Sequence, residues 1–137
     1  MALIANVFLS FSDFVMRGLA LAPGTAGPNA MVAINWTVNH STFMVLFIGL
    51  LAVPVALALW ALGQVDGIAL SLVLAGSLSY SLGVFAVTGI GNVLMNNRLD
   101  AMSGSMEQTA IYWLDYVQRW TRLSNIRSAA SAFAAIA

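Results

Sequence analysis

Asp13 and Arg17 stand one helical turn apart inside an otherwise apolar N-terminal stretch. Ionisable groups within a membrane-length apolar segment are costly, which makes them functional candidates by default. As an i,i+4 pair they also satisfy each other in part. Two readings stay open: a salt bridge that fixes helix packing, or part of the wall of a polar cavity. Further along, Ser81, Thr88, Asn92 and Asn96 fall on a narrow stripe at spacings of seven, four and four. Such a stripe is a hydrogen-bonding wall or polar glue between helices. Arg98 follows directly and can swing back over that end. His40 is the only His. Its near-neutral pKa suits a general base or a haem ligand, and simple solvation at an interface is the plainer alternative. Tyr112, Trp113, Tyr116 and Trp120 form either an interfacial aromatic belt or one wall of a pocket for a flat ring.

Other chemistries find no residues. There is no Cys, so disulfides, thiolate metal sites and redox dithiols are excluded together. No HxxxH or ExxH pattern occurs. A metal would have to gather His40 with Asp13 or the Met residues, so no metal site and no cofactor are expected. Phosphate loops, dinucleotide fingerprints and a Ser-His-Asp order are missing. Asn35-Trp-Thr and Asn39-His-Ser match glycosylation sequons, a pattern too short to mean much without a secretory context.

The elements that must position these residues are apolar. Of 137 residues, 61% are hydrophobic and 7% charged, with a mean hydropathy of +0.90. Soluble domains carry roughly 25% charged residues, so lipid rather than water must cover most of this chain. Its length suits one domain. Net charge is zero and all five basic residues are Arg, so nucleic acid is not an expected partner. The N-terminal stretch reads as a retained helix rather than a signal peptide, because it lacks a basic start and carries Asp13 and Arg17.

A membrane helix needs about 20 mostly apolar residues. Three segments qualify: about 2–22, 42–62 and 67–95. The second should be distorted at Pro54. Pro23 to Pro28 reads as a turn. Asn29 to His40 then reads as a short helix-like stretch at the interface, with Asn35 and Asn39 on one face and Trp36 and His40 on a neighbouring one. Residues 63–67 form a tight loop that makes helices two and three antiparallel neighbours. Ser105 and Gln108 resemble a capping box that opens a last helix over about 106–137. Trp113, Tyr116, Trp120, Leu123 and Arg127 recur on one side of that helix. Tyr112, Asp115, Arg119 and Arg122 lie on the other, with Asp115 placed to pair with Arg119. Ala75, Ser79 and Gly83 form a small-residue stripe where another helix can pack closely. The expectation is an all-α, single-domain integral membrane four-helix bundle. Arg98 weakly sets segments 23–41 and 96–105 in the cytoplasm.

Three segments together resemble the anthrone oxygenase-like family of small membrane proteins. They are Phe11-Ser-Asp-Phe-Val-Met-Arg-Gly-Leu19 with Ala30-Met-Val-Ala-Ile-Asn35, then Gly83-Val-Phe-Ala-Val-Thr88 with Asn92-Val-Leu-Met-Asn-Asn97. The third is Tyr112-Trp113 with Trp120-Thr-Arg-Leu-Ser-Asn-Ile-Arg127. The resemblance implies a four-helix membrane oxidoreductase of the monooxygenase type. Such a protein oxidises anthrones to anthraquinones with molecular oxygen and no conventional cofactor. A base removes the benzylic proton and the enolate reacts with oxygen. The resemblance puts Asn125 where the family commonly has His, and Leu94 where it commonly has Pro.

The expected reading is therefore a membrane protein, set in the bacterial inner membrane, that holds and oxidises a flat aromatic or quinone-like molecule. His40, Asn92 and Arg127 are the expected catalytic residues. Asp13, Arg17, Asn35, Asn96, Trp113, Tyr116 and Trp120 are the expected substrate contacts. Expected partners are a hydrophobic aromatic small molecule and membrane lipid, with a homo-oligomer left open. A non-catalytic membrane subunit, or a lipid- or cofactor-binding module of the same fold, is the alternative.

Overall fold

A computed structural model describes residues 1–137. It is all-helical, with five helices rather than four. They are α1 (Ala2–Leu21), α2 (Ala26–Asn39), α3 (Thr42–Gln64), α4 (Gly67–Ala101) and α5 (Met106–Ile136). The additional helix is α2, which was expected only as a short interfacial stretch. Its first turn takes in Gly27 and Pro28, residues that read as a turn in the sequence. The first four N–H groups of a helix have no partner inside it, so Pro28 forfeits no hydrogen bond there. Gly27 is buried because its backbone lies against the Leu19 carbonyl and the Trp113 ring, where a Cβ would collide.

Three helices are long and apolar enough to cross a membrane: α1, α3 and α4. The α3–α4 connection is shorter than the sequence suggested, with only Val65 and Asp66 outside helix. Gly67 makes so tight a reversal feasible, since its φ of +62° is a conformation that side-chain-bearing residues rarely adopt. Pro54 is accommodated within α3. Ser41 caps α3, its Oγ accepting from the Met44 N–H at 3.4 Å. The Ser105–Gln108 capping box does not form, as the Ser105 side chain makes no cap bond. Thr109 ties the start of α5 instead, its hydroxyl donating to the Met102 carbonyl at 2.6 Å.

Helix α4 runs to Ala101, past the expected end at Met95, and tertiary contacts explain the extension. Leu99 is fully buried, and the Arg98 guanidinium lies 4.8 Å from the Tyr112 ring centre. Two stretches widen from α- to π-helical geometry, Phe11–Val15 in α1 and Ser81–Val93 in α4. Such widening is frequent at functional sites. It also breaks the periodicity on which the sequence stripe rested. Thr88, Asn92 and Asn96 still meet, whereas Ser81 turns to a shallow depression beside Pro54.

Helix α5 is the hub, packing along α1 and along α4, while α3 packs on α4. The small-residue contact between α4 and α5 sits at Gly76 and Gly83, not at Ala75 and Ser79. A Cβ at Gly83 would collide with Ala130, and Gly76 faces Ala134 and Ala137. Buried apolar side chains gather in two clusters. One holds Met16, Met31, Leu99, Tyr112, Trp113, Tyr116 and Trp120. The other holds Ile4, Phe8, Phe47, Tyr80 and Val84.

Candidate functional site

Between those two clusters lies a cavity of about 220 Å³. Phe8 and Phe11 of α1, Met31 and Ile34 of α2, and Phe43 and Phe47 of α3 give it apolar walls. Asn35, Thr88, Asn92, Asn96, Trp120 and Arg127 give it a polar side. The cavity exists because α2 spaces α1 from α4 at this end. An Asn96–Asn35 bond, amide to carbonyl at 3.1 Å, fastens α2 to α4.

Asn96 organises the polar side. Its carbonyl oxygen accepts from the Tyr116 hydroxyl at 2.6 Å and from the Trp120 indole N–H at 3.2 Å. Four residues earlier, Asn92 is only 2% exposed, yet both its amide nitrogen and its amide oxygen lack a partner. Buried polar groups are overwhelmingly hydrogen-bonded, so an unpartnered amide on a cavity wall invites a ligand.

Arg127 is 4% exposed. One terminal nitrogen donates to the Ser124 hydroxyl at 2.5 Å and the other to the Thr88 hydroxyl at 3.4 Å, while Nε is unpartnered. The guanidinium carbon sits 4.1 Å from the Phe8 ring centre and 5.2 Å from that of Trp120. These π faces offset part of the cost of burying the charge. No carboxylate does so, because no Asp, Glu or His lines the cavity.

Five of the expected site residues thus meet here: Asn35, Asn92, Asn96, Trp120 and Arg127. Tyr116 and Trp113 stand behind the wall rather than in it. Their rings stack at 5.4 Å, and Tyr116 reaches the site only through Asn96. Three expected residues are elsewhere. His40 is exposed, its Nδ1 2.7 Å from the Trp36 carbonyl and its ring tilted by 32° against the exposed Trp36. Asp13 and Arg17 sit on the outer surface of α1, 4.0 Å apart with side chains 66% and 78% exposed. They line an open groove with Gln118, Thr121, Arg122 and Asn125. The phenylalanines were missed because their types signal only core.

A family model described as anthrone oxygenase matches residues 43–137, more than half of the chain. The chain belongs to the anthrone oxygenase family. No curated protein and no solved structure matches it. The matched span carries Thr88, Asn92, Asn96, Trp120 and Arg127. Asn35 and the α1 wall lie outside it. Position 125, where the resemblance sets a His, is exposed in the outer groove beside Asp13 and Arg17, on the far side of α5 from Arg127. In this anthrone oxygenase family member, the cavity and position 125 are therefore separate places.

Proposed function

We propose that the protein binds a flat aromatic or quinone-like molecule in this cavity and oxidises it with molecular oxygen. One observation carries the reading. A mostly apolar chamber carries a buried guanidinium and an unpartnered amide on one wall, the donor types that an aromatic ketone oxygen needs. Few convergent polar groups in an apolar pocket are what orient small-molecule ligands. Membership of the anthrone oxygenase family supports the chemistry.

The reaction needs little from the protein beyond binding and charge. The acidic benzylic proton would pass to water or hydroxide entering the cavity, which no side-chain base lines, and leave an enolate whose oxygen Arg127 and Asn92 would hold. Donors placed where negative charge develops stabilise the step that creates it. The enolate carbon then bonds to oxygen. One oxygen atom stays as the new carbonyl, and the other leaves with both methylene hydrogens as water. Phe8, Phe11, Phe47 and Trp120 would sandwich the rings. The bacterial inner membrane is the proposed setting, where such a substrate is concentrated.

Oxygen uptake by membranes supplied with anthrone, for wild type, Asn92→Ala and Arg127→Ala, tests the catalytic reading. Both variants should lose most of the rate. Wild-type uptake no greater than that of membranes without the protein ends it.

A second reading has its own observation: no titratable base lines the cavity, and His40 and Asn125 both face away. A non-catalytic subunit or binding module needs none. Purification in mild detergent, followed by mass spectrometry of co-extracted molecules, separates the two. A stoichiometric protein partner or phospholipid alone favours the second, and a bound aromatic or quinone favours the first.

A further inference from the structure

We propose that the polar cleft between α2 and α4 is the water entrance of the cavity, and that the substrate proton leaves through it to Asp100. The proton route rests on the oxidation reading above, whereas the water entrance does not. The cavity meets a wider cleft of about 540 Å³, and the residues common to both are Asn35, Asn39 and Asn96. All three are amides, so the partition is polar, while the walls given by α1 and α3 are apolar. The Asn96–Asn35 bond at 3.1 Å closes it. Unpaired polar atoms continue inward. Asn35 Nδ2, both amide atoms of Asn92 and Arg127 Nε are buried without a partner. Outward, Asn29, Asn97, Asp100 and Ser103 are exposed along the cleft. Thr88, Asn92, Asn96 and Asp100 stand four residues apart along α4, and Thr88 accepts from Arg127. One polar row therefore runs from the buried guanidinium to the solvent. Buried water occupies sites that are roomy and offer about two to four polar partners. The amide side of the cavity meets that condition, and the phenylalanine side does not.

Charge gives the route its direction. Breaking the benzylic C–H bond leaves the electron pair in the enolate and puts the proton on water. A hydronium formed there would stand near the Arg127 guanidinium, and like charges repel strongly where the dielectric is low. Amides hold water by hydrogen bonds yet take up no proton themselves, so Asn92, Asn35 and Asn96 can line a path without ending it. Asp100 is the only ionisable residue lining the cleft. Its carboxylate receives the proton from the last water and returns it to bulk solvent. The step then leaves an enolate inside the cavity and a proton outside it.

The Trp120 indole N–H, 6% exposed and bonded to Asn96, reports on water at the partition. Full-length protein labelled with nitrogen-15 tryptophan would be transferred in mild detergent to heavy water, with the Trp120 signal assigned through Trp120→Phe. Ala33→Phe with Asn97→Phe puts two rings into the cleft at exposed positions outside the cavity. This plug should slow Trp120 exchange at least about tenfold and leave the exposed Trp60 unchanged. Should the pair fail to fold, Ala33→Phe alone serves, with a severalfold slowing. Val38→Phe, which borders the cavity and not the cleft, should slow nothing. No exchange in the wild type, exchange indifferent to the plug, or equal slowing by Val38→Phe overturns the entrance. In oxygen uptake with anthrone, Asp100→Asn should lose severalfold in rate, and Asp100→Glu should keep most of it. Added imidazole at fixed pH should restore Asp100→Asn and leave the wild type unchanged, because a soluble base then takes the proton at the cleft. An undiminished rate in Asp100→Asn, or a loss that imidazole does not correct, overturns the role of Asp100. Exchange through the cleft without any oxygen uptake would leave the entrance standing and end the oxidation reading together with its proton route.

Discussion

Asn96 is the residue whose loss should be felt most, and the cost can be worked bond by bond. Replacing it with Leu keeps a similar volume and removes the oxygen that accepts from Tyr116 and Trp120 and the nitrogen that donates to Asn35. Tyr116 is fully buried and Trp120 is 6% exposed, so neither donor can turn to water. A buried donor left unpaired costs about 1–3 kcal/mol. Asn35 also borders the wide polar cleft shared with Asn29, Asn97 and Asp100, so water can replace its lost partner at little cost. Asn96→Leu should therefore destabilise by roughly 2–6 kcal/mol. At about 4 °C per kcal/mol for a chain of this size, the melting temperature in detergent should fall by roughly 8–24 °C. Tyr116→Phe alone removes one donor and leaves Asn96 still bonded to Trp120, which should cost about 1 kcal/mol. In the double variant the stranded hydroxyl is gone, so its loss should be smaller than the sum of the singles by about 2–4 kcal/mol. Thermal unfolding of the four proteins measures this coupling. Strict additivity, or a fall of only a few degrees for Asn96→Leu, would refute the view that Asn96 is the centre of a closed network.

Three other outcomes follow from where side chains sit. Asp13→Ala should cost less than about 1 kcal/mol in a detergent melt, and Arg17→Ala added to it should change little, because exposed i,i+4 pairs contribute little. Gly83→Val should destabilise by about 1–3 kcal/mol through overpacking against Ala130, while Gly89→Ala, whose Cβ meets nothing, should leave the melt nearly unchanged. Oxygen uptake with anthrone should be unaltered in both His40→Ala and Asn125→His, since neither position reaches the cavity. A loss in the first or a gain in the second would relocate the chemistry.

The apolar runs announced three helices and the near-spanning fourth because hydropathy is a local property. The helix over residues 26–39 was half seen. Gly27 and Pro28 are turn formers by local preference, and only the contacts with Leu19 and Trp113 make them the first turn of a helix. The polar wall was legible in part for a related reason. Asn92, Asn96 and Arg127 are conspicuous as polar residues in apolar surroundings. Which way they face depends on the π-helical widening of α4, which local periodicity does not encode. Asp13 and Arg17 are conspicuous in the same way, yet they point outward. Residue type marked them as unusual, and only tertiary packing could say which side of α1 was inside.

Helix lengths and this packing together predict where the cavity would lie in a bilayer. Helix α3 has 23 uncharged residues, about 34 Å at 1.5 Å per residue, close to a hydrocarbon core of about 30 Å. Because only two residues separate α3 from α4, the first stretch of α4 runs back alongside it, and Thr88 comes level with the start of α3. Thr88 binds Arg127, so the polar wall sits at the edge of the hydrocarbon, with Phe43 and Phe47 on its inner side. Beyond that edge would lie the end of α4, the first half of α5 and the Asp13–Arg17 groove, so that α1, although long enough to cross, would enter the hydrocarbon only with its first turns. The absence of Cys makes the arrangement open to single-cysteine labelling. In sealed membranes, Asn97→Cys and Gln118→Cys should react rapidly with an impermeant maleimide from one and the same side. Leu57→Cys and Leu72→Cys, exposed on the α3–α4 hairpin, should stay unlabelled from either side. Rapid labelling of Leu72→Cys, or none at Gln118→Cys, would move the boundary and take with it the argument that a bilayer-dissolved ring can enter beside Phe43 and meet Arg127 without first crossing water.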